Sequence, residues 1–398
     1  MHLGRSFSMS AATVRAGVLS LFVVGALFHK SVWGAQPFPI LNAETRLAAS
    51  GPVAISGDTV IAGGQVFVRG AEGWVFQQTL SSPDNVALDG NTAVIGTNIF
   101  VRSGNNWTLQ GVLPSSMAYG RVAVSGDTIA IGQPFHSLTN GLYSGVVYVF
   151  TRTGSSWSTQ AVLTPGDASL GIGFGSSVAV DGDRIVAGAP GIYAGYSPPP
   201  AAYIFTRTGT NWVQSAKLID GSPDPGGFGD SVASSGDTVA VGESYQAAPV
   251  LMFLKTNGAW ILRQKLAWSG GLASTGPYGN AVPMALNGNG FVALDNAGAV
   301  HIFSRGASRW SEQQTLTTGA GYSFGPTLGL GTNSVIVDAP VSGGSYVFES
   351  GFSQWQSRDI GAVGRRGGLA VSTNVITISG GGADIGGTTD TLQFVFRP

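Results

Sequence analysis

A repeated unit is the feature that most constrains how this chain can fold. A Gly-Asp pair between two short apolar runs recurs along the sequence, as in VAVDGDRIVAG at 178–188 and VAVSGDTIAIG at 122–132. Such a pair between alternating apolar residues predicts two antiparallel strands joined by a tight turn. Eight copies can be traced, and their first strands begin near Val53, Val86, Val122, Val178, Val232, Val282, Leu328 and Leu369.

Two further strands follow each hairpin, and a tryptophan marks the last of them. Residues 148–163 read YVFTRTGSSWSTQAVL, and residues 203–218 repeat that pattern as YIFTRTGTNWVQSAKL. Successive tryptophans of the series are 33 to 55 residues apart, which is the length of four short strands with their turns. Seven positions carry this residue: Trp74, Trp107, Trp157, Trp212, Trp260, Trp310 and Trp355. Four-stranded units at such a period predict an all-β fold, the β-propeller.

The two ends of the chain predict how the propeller closes. The last unit stops after its third strand at 394–396, so its fourth strand is missing. Residues 43–47 resemble the fourth-strand ending at 214–218, and we therefore expect the N-terminal strand to complete the last blade. Such closure removes an exposed sheet edge. We expect eight blades; seven is the alternative, if the short unit at 86–113 or the weak unit at 328–360 is absorbed elsewhere.

Residues 1–34 have the pattern of a secretory signal peptide. Basic residues flank an apolar run at 16–28, and Val32 and Gly34 suit the −3 and −1 positions of a cleavage site. An uncleaved membrane anchor is the alternative, although the run is short for a membrane span. We expect a protein that is secreted or held in the cell envelope. Its single propeller domain covers residues 36–398 and has no membrane span once the signal is removed.

The composition excludes several classes of protein. The chain has 398 residues, 61 of them glycine, and no cysteine. This suits short strands with tight turns, and it rules out disulfides and thiol catalysis. Without residues 1–34, 17 Lys and Arg stand against 21 Asp and Glu, a net charge of −4. Mild acidity without a basic stripe argues against a nucleic-acid partner.

One unit carries a known motif in full. Phe174-Gly175 before the hairpin and Gly188-Ala189-Pro190 after it resemble the FG-GAP repeat of integrin α-subunit propellers and their bacterial relatives. The resemblance extends over residues 36–398, most clearly in 119–266, and it implies a propeller fold but no particular function. Repeats of the integrin type often carry a calcium loop of the Asp-x-Asp-x-Asp-Gly type, which is missing here. The nearest stretch, at 220–230, has a proline in place of the turn glycine. We expect no metal and no cofactor.

Two polar positions recur with the repeat, and we interpret both as structural. Asparagine replaces the hairpin aspartate in two copies, and an amide cannot act as a catalytic carboxylate, so these are turn residues. They are Asp58, Asn91, Asp127, Asp183, Asp237 and Asn289. A basic residue ends the third strand in six copies: Arg69, Arg102, Arg152, Arg207, Lys255 and Arg305. These can form a positive ring for an acidic polymer or cover the neighbouring tryptophan with their stems. Because Glu349 breaks the series, we favour the second interpretation.

Catalytic patterns are scarce. Beyond the signal segment the only histidines are His136 and His301, and the sequence contains no nucleophile elbow and no phosphate loop. We name no catalytic residue and expect a structural role for His301. A propeller enzyme can still gather carboxylates from several blades in its central funnel, so a hydrolase or lyase remains the alternative function.

The loops predict a binding surface on one side of the propeller. The turns between strands 1 and 2 and between strands 3 and 4 are short. The longer loops, which all lie on the opposite side, are at 133–145, 188–201, 242–249, 267–277 and 381–390. We call that side the long-loop face. Its candidate ligand-binding residues are Phe135, His136, Tyr143, Tyr193, Tyr196, Tyr245 and Trp268. Varied aromatic loops on a rigid scaffold suit recognition; the alternative is that these side chains pack their own loops.

The sequence therefore predicts a monomeric, exported scaffold for binding or adhesion, which recognises a protein or a glycan through its long-loop face. A hydrolase or lyase with a central-funnel site is one alternative, and a purely structural module of the envelope is another. Carboxylates clustered at the propeller axis would favour the enzyme. An aromatic patch on the long-loop face would favour binding.

Overall fold

The computed structural model describes residues 37–350 with short gaps, and outside this range it describes the backbone of five further strands. The gaps are at 71–72, 82–84, 118–119, 138–142, 192–198, 222–226, 244–248, 269, 274–282, 308 and 319–322. The described residues form seven four-stranded antiparallel sheets and two smaller sheets. Each four-stranded sheet is one blade, and the first strands of neighbouring blades contact one another around a central channel.

Six blades are built from four strands that follow each other in the chain and in the sheet. Blade 1 contains Val53–Ser56, Thr59–Ala62, Gln65–Gly70 and Gly73–Thr79, and blade 2 contains Val86–Asp89, Thr92–Ile95, Asn98–Ser103 and Asn106–Val112. Blade 3 contains Arg121–Ser125, Thr128–Gln133, Val146–Thr153 and Ser156–Leu163, and blade 4 contains Ser177–Asp181, Arg184–Ala189, Ala201–Thr208 and Asn211–Leu218. Blade 5 contains Ser231–Ser235, Thr238–Gly242, Val250–Thr256 and Ala259–Leu266, and blade 6 contains Met284–Asn287, Gly290–Leu294, Val300–Arg305 and Trp310–Leu316.

Blade 7 is assembled from both ends of the ring. Its first three strands are Leu328–Leu330, Ser334–Ala339 and Gly344–Glu349, and its fourth strand is the N-terminal Ala43–Leu47. In that pair Ala43 lies opposite Glu349 and Leu47 lies opposite Ser345. The first strand of blade 7 contacts the first strand of blade 1, so the ring is complete. The predicted closure of the ring by the N-terminal strand is confirmed, but its partner is Gly344–Glu349 and not the predicted strand at 394–396, which pairs with Gln356–Ile360.

The preferred count of eight blades is wrong, and the alternative of seven is correct. The hairpin predicted at 368–380 exists as Arg365–Ser372 and Val375–Gly381, but it pairs with Phe7–Ser10 in a separate three-stranded sheet. Gln356–Ile360 and Leu392–Phe396 form a two-stranded sheet. The reason is that the N-terminal strand occupies the edge of blade 7, which leaves no opening in the ring for another blade.

The core lies between the blades, because each second strand is covered on both sides. Its residues are almost all buried in every blade, as in TVIA of blade 1 and TAVI of blade 2. Between blades 3 and 4, Phe174 is fully buried and packs edge-on against Tyr203, with ring centroids 5.7 Å apart. Phe228 has the same position between blades 4 and 5, against Phe253. The phenylalanine of each Phe-Gly pair therefore fills an inter-blade space.

The repeated aspartates are turn residues, as predicted. In blade 1, Gly57 has a φ of 56° and Asp58 a negative φ, the combination found in a type II′ hairpin turn. The aspartate side chain also forms a hydrogen bond: Asp58 Oδ1 accepts from Arg69 Nε at 3.0 Å. The same contact, from the third-strand arginine to the hairpin aspartate, joins Arg207 to Asp183 at 2.7 Å.

The third-strand basic residues also cover the tryptophans, which confirms the structural interpretation of that series. The guanidinium of Arg69 lies 4.9 Å from the ring centroid of Trp74, and that of Arg152 lies 5.4 Å from Trp157. Six of the seven tryptophans lie in fourth strands. Trp355 lies outside the described residues, and the fourth strand of blade 7 has no tryptophan.

Two short 3-10 helices, Ser115–Met117 and Pro340–Ser342, lie between strands. Within the described part of the chain, no helix has the length and apolar character needed to cross a membrane. The signal peptide predicted at 1–34 lies outside the described residues, except for the backbone of Phe7–Ser10.

Candidate functional site

The Phe-Gly and Gly-Ala-Pro segments meet on the long-loop face. Gly175 donates its backbone N–H to the carbonyl of Gly188 at 2.9 Å, and Gly229 does the same to Gly242 at 3.0 Å. A Cβ atom on Gly188 would lie 1.8 Å from the carbonyl oxygen of Gly229, so glycine is required where the next blade approaches. The hydrogen bonds thus close the open end of the first hairpin in blades 4 and 5, and the close approach of Gly188 to Gly229 packs these two blades together at the base of the loops.

The loop at 133–145 presents two exposed aromatic side chains. Phe135 is 40% exposed and Tyr143 is 51% exposed. Both ends of the loop are fixed, because Gly145 donates its N–H to the carbonyl of His136 at 3.1 Å and Ser137 forms an isolated β-bridge with Tyr143. His136 Nε2 lies 3.2 Å from the Tyr148 hydroxyl. The structure therefore brings Phe135, His136 and Tyr143 together on blade 3.

The other candidate residues lie in different settings. Trp268 is half-buried, with its ring centroid 5.2 Å from that of His301 and 5.6 Å from that of Phe303. Its Nε1–H donates to the carbonyl of Gly271 at 3.1 Å, the kind of packing expected for an aromatic residue that supports its own loop. Tyr193, Tyr196 and Tyr245 lie outside the described residues.

His301 is a buried, fully bonded residue on the third strand of blade 6. Its Nδ1 lies 2.8 Å from Glu312 Oε1, and its Nε2 lies 3.2 Å from Asp295 Oδ2. Asp295 is fixed in turn, since its Oδ1 accepts the N–H of Ala299 at 2.7 Å. Both ring nitrogens are occupied within the protein, which is the structural role predicted for this histidine.

An acidic pair occupies the long-loop side of blade 5. Glu243 stands where Ala189 stands in the intact motif, and burial raises its pKa to about 7, with the nearby carboxylate of Asp220 acting in the same direction. Lys265 forms an ion pair with Asp220, whose side chain is only 2% exposed, and it acts against this rise. Among the described residues, no group of three His, Cys, Asp or Glu side chains is arranged to hold a metal ion.

The mouth of the central channel forms a small cavity of about 50 Å³ on the long-loop side. It is lined by the residues at which the first strands begin, including Pro52, Asn85, Arg121, Ser177, Asp230, Ser231 and Thr327. Arg121 is the one basic side chain in this lining, and its Nε–H donates to the carbonyl of Ser176 at 3.3 Å. Burial lowers the pKa of Arg121, and the charge of Asp230 opposes that effect.

Sequence reasoning missed the channel mouth. The signal was present, because the residue before each first-strand apolar run differs between copies: RVAV in blade 3 against SVAV in blade 4 and PVAI in blade 1. The arginine of blade 3 stands where other blades have serine, proline or asparagine. The sequence alone does not indicate that these positions line one cavity, because only the closed ring brings the starts of the first strands together.

Seven four-stranded blades around a channel, closed by the N-terminal strand, make this protein a β-propeller. Solved structures agree with that class at low sequence identity. The β-propeller domain of Myceliophteria thermophila Cps50 (Swd1) is 12% identical, with a TM-score of 0.52 over 78% of this chain and 100% of that chain. A chain of the mitotic checkpoint complex is 10% identical, with a TM-score of 0.50 over 82% of this chain and 98% of that chain.

One repeat of this propeller matches a known family model. Residues 157–205, which contain the intact Phe-Gly and Gly-Ala-Pro segments, match the family described as the FG-GAP repeat. The protein is therefore a β-propeller in which residues 157–205 are similar to the FG-GAP repeat. No curated protein matches the chain.

Proposed function

We propose that this protein is an exported binding scaffold that recognises a protein or a glycan through its long-loop face. The observation that carries the proposal is the loop at 133–145, which holds Phe135 and Tyr143 exposed on a fixed base. Exposed aromatic residues on a rigid support lose little entropy on binding and dominate many interfaces. Export rests on the signal pattern of residues 1–34 and on the typical occurrence of FG-GAP repeats in extracellular or envelope proteins.

The opposite face gives the proposal a contrast within the same molecule. There the hairpin turns are short, and their aspartates are bound by third-strand arginines, as in the pairs of Asp58 with Arg69 and of Asp183 with Arg207. On that face these charged side chains are engaged in ion pairs within their own blades. The long-loop face carries the variation between blades, which is where recognition residues are expected on a repeat scaffold.

The hydrolase or lyase alternative finds less support at the axis. Hydrolysis of glycosides ordinarily uses two carboxylates about 5–10 Å apart. In the described lining of the channel mouth, Asp230 is the one carboxylate. We therefore retain the binding function as the proposal.

A partner screen with a paired variant tests this function. The purified chain is applied to glycan arrays and used to capture proteins from envelope and medium fractions, and each hit is confirmed with the isolated partner. The double variant Phe135→Ala/Tyr143→Ala is expected to weaken the confirmed interaction about 1,000-fold, since buried aromatic anchors contribute about 2 kcal/mol each, or about 30-fold per residue.

Leu109→Ala is the matched control. Leu109 is 55% exposed on the outer strand of blade 2, so it removes a similar apolar surface far from the long-loop face. Unchanged affinity in the double variant, or an equal loss in the control, would contradict the proposal.

A further inference from the structure

The channel mouth contains buried polar atoms that lack a hydrogen-bond partner among the described residues. Arg121 Nη1, Ser231 Oγ and Thr327 Oγ1 are buried and have no hydrogen-bond partner among the described residues. Ser231 and Thr327 are each only 6% exposed. An unsatisfied buried donor or acceptor costs about 1–3 kcal/mol, so three around one cavity need a common explanation.

A comparison between neighbouring blades indicates that this arrangement is not imposed by the repeat. Ser177 of blade 4 donates its hydroxyl to the carbonyl of Gly229 at 2.8 Å. Ser231 occupies the same position in blade 5, and its hydroxyl has no such partner in the part of the chain that the structure describes, which leaves out 274–282. At the same position blade 3 has Arg121, a long cation where other blades have small side chains. The atoms without partners therefore belong to Arg121 in blade 3, Ser231 in blade 5 and Thr327 in blade 7, while the serine of blade 4 at the same position is bonded.

The charges of the lining select the kind of ligand. The channel mouth holds one cation, Arg121, and one anion, Asp230, whose charge acts on it. In a cavity shielded from water an uncompensated charge is costly. A lone carboxylate would add a second negative charge beside Asp230, and a lone ammonium would add a second positive charge beside Arg121. A molecule that carries both groups leaves the net charge of the cavity unchanged and offers a charge-assisted contact to each of the two side chains.

We propose that the channel mouth binds the head group of a free α-amino acid, with its carboxylate on Arg121 Nη1 and Thr327 Oγ1 and its ammonium on Asp230 and the neighbouring Ser231 Oγ. The ligand carboxylate accepts from the open guanidinium N–H and the threonine hydroxyl, which are the strong, charge-assisted kind of contact. A carboxylate such as Asp230 has acceptor capacity for more than one donor. At about 50 Å³ the cavity takes a small head group and not a polymer. This inference does not depend on the macromolecular partner proposed above.

Calorimetry and thermal-shift measurements on the purified full chain test the ligand class. The probes are glycine, alanine and serine, with acetate and methylammonium as analogues that carry only one of the two charges. We expect an amino acid to bind and to raise the melting temperature, and we expect each single-charge analogue to bind at least about 10-fold more weakly, equivalent to about 1.4 kcal/mol.

Three variants locate the binding. Arg121→Gln and Asp230→Asn are each expected to abolish the amino-acid response, and Thr327→Val, which keeps the side-chain shape, is expected to weaken it. Arg263→Gln is the control, since Arg263 lies on the outer strand of blade 5 and donates to Thr256. If a channel variant does not fold, the shape-conserving Thr327→Val carries the test. The proposal is overturned if no probe amino acid binds, if acetate binds as tightly, or if Thr327→Val and every folded channel variant retain full affinity.

Discussion

At the scale of single residues, Glu243 is a carboxyl group whose acidity is strongly altered by its environment. Burial keeps its carboxyl protonated up to a pKa of about 7, against an ordinary value of 4.5, and Asp220 adds to the rise while Lys265 opposes it. In the unfolded chain the group ionises near its ordinary pKa. Between pH 4.5 and about 7 the folded protein therefore holds a proton that the unfolded protein has lost, and stability falls as the pH rises through this interval.

Replacing Glu243 by glutamine should remove that pH dependence. At pH 8 the Glu243→Gln variant is expected to be more stable than the unaltered protein, because it no longer buries an ionised carboxylate. At pH 4.5 the two should be nearly equal, since the buried carboxyl is then protonated. Urea unfolding over a pH series measures the difference, with Glu44→Gln on the exposed side of the N-terminal strand as control. A Glu243→Gln variant less stable than the unaltered protein at pH 8 would refute the assignment.

Residue roles could be predicted where the repeat itself offers a comparison. Asp58 and Asp183 were assigned to turns because other copies have asparagine there, and the structure agrees. Arg121 could not be identified in this way, because its meaning depends on Asp230 and Thr327, which lie in blades 5 and 7. Only the closed ring brings these three side chains to one cavity.

At the scale of strands, glutamines of the fourth strands join consecutive blades at the outer edge. Gln78 Nε2 donates to the carbonyl of Trp107 at 2.9 Å, and Gln78 Oε1 accepts the N–H of the same residue at 3.0 Å. Gln264 makes the same pair of bonds with Trp310, at 2.9 and 2.8 Å. The glutamine side chain thus makes the two hydrogen bonds that a neighbouring strand would make with this tryptophan, across the gap between two blades.

Loss of one such amide should be measurable. Gln264→Ala removes two hydrogen bonds to partly buried backbone groups of Trp310 and is expected to lower the free energy of unfolding by about 1–3 kcal/mol. Gln313→Ala is the matched control, because Gln313 is exposed and bonds only to Ser311 and Glu312 of its own strand. Chemical denaturation of both variants gives the comparison. Equal effects would mean that the inter-blade bonds contribute nothing.

The existence of strands was easier to predict than their membership in blades. Alternating apolar residues on both sides of a short polar turn predicted the hairpin at 368–380 correctly as a hairpin. The local pattern carries no information on which sheet a hairpin joins. Trp355 suggested a complete unit at 328–360, yet the fourth strand of that blade is Ala43–Leu47, which has no tryptophan. Which sheet a strand joins is therefore set by pairing between segments that are distant in the sequence.

At the scale of the whole molecule, the seam between blades 7 and 1 holds the ring together. Asp338 Oδ1 accepts the N–H of Gly51 at 3.0 Å, and Ser345 donates its hydroxyl to the carbonyl of Ala49 at 2.9 Å. Glu349, which breaks the series of basic third-strand residues, forms an ion pair with Arg69 of blade 1. The residue that breaks the basic series therefore pairs across the seam where the two ends of the ring meet.

The seven-bladed ring can be tested directly by cross-linking, because the chain has no cysteine. In the seven-bladed ring Arg46 lies opposite Tyr346. An eight-bladed ring would instead place residues 43–47 beside the strand at 392–396. Arg46→Cys is combined with Tyr346→Cys in one variant, and with Phe394→Cys or Val395→Cys in two others, which cover both sides of that strand.

Mild oxidation and mass spectrometry of the digested protein then report which disulfide forms. Antiparallel partners hold their Cβ atoms about 4.5–5.5 Å apart, close enough for a disulfide. The seven-bladed ring predicts a bond between positions 46 and 346 and none between position 46 and positions 394 or 395. A bond to position 394 or 395, with none to position 346, would contradict it.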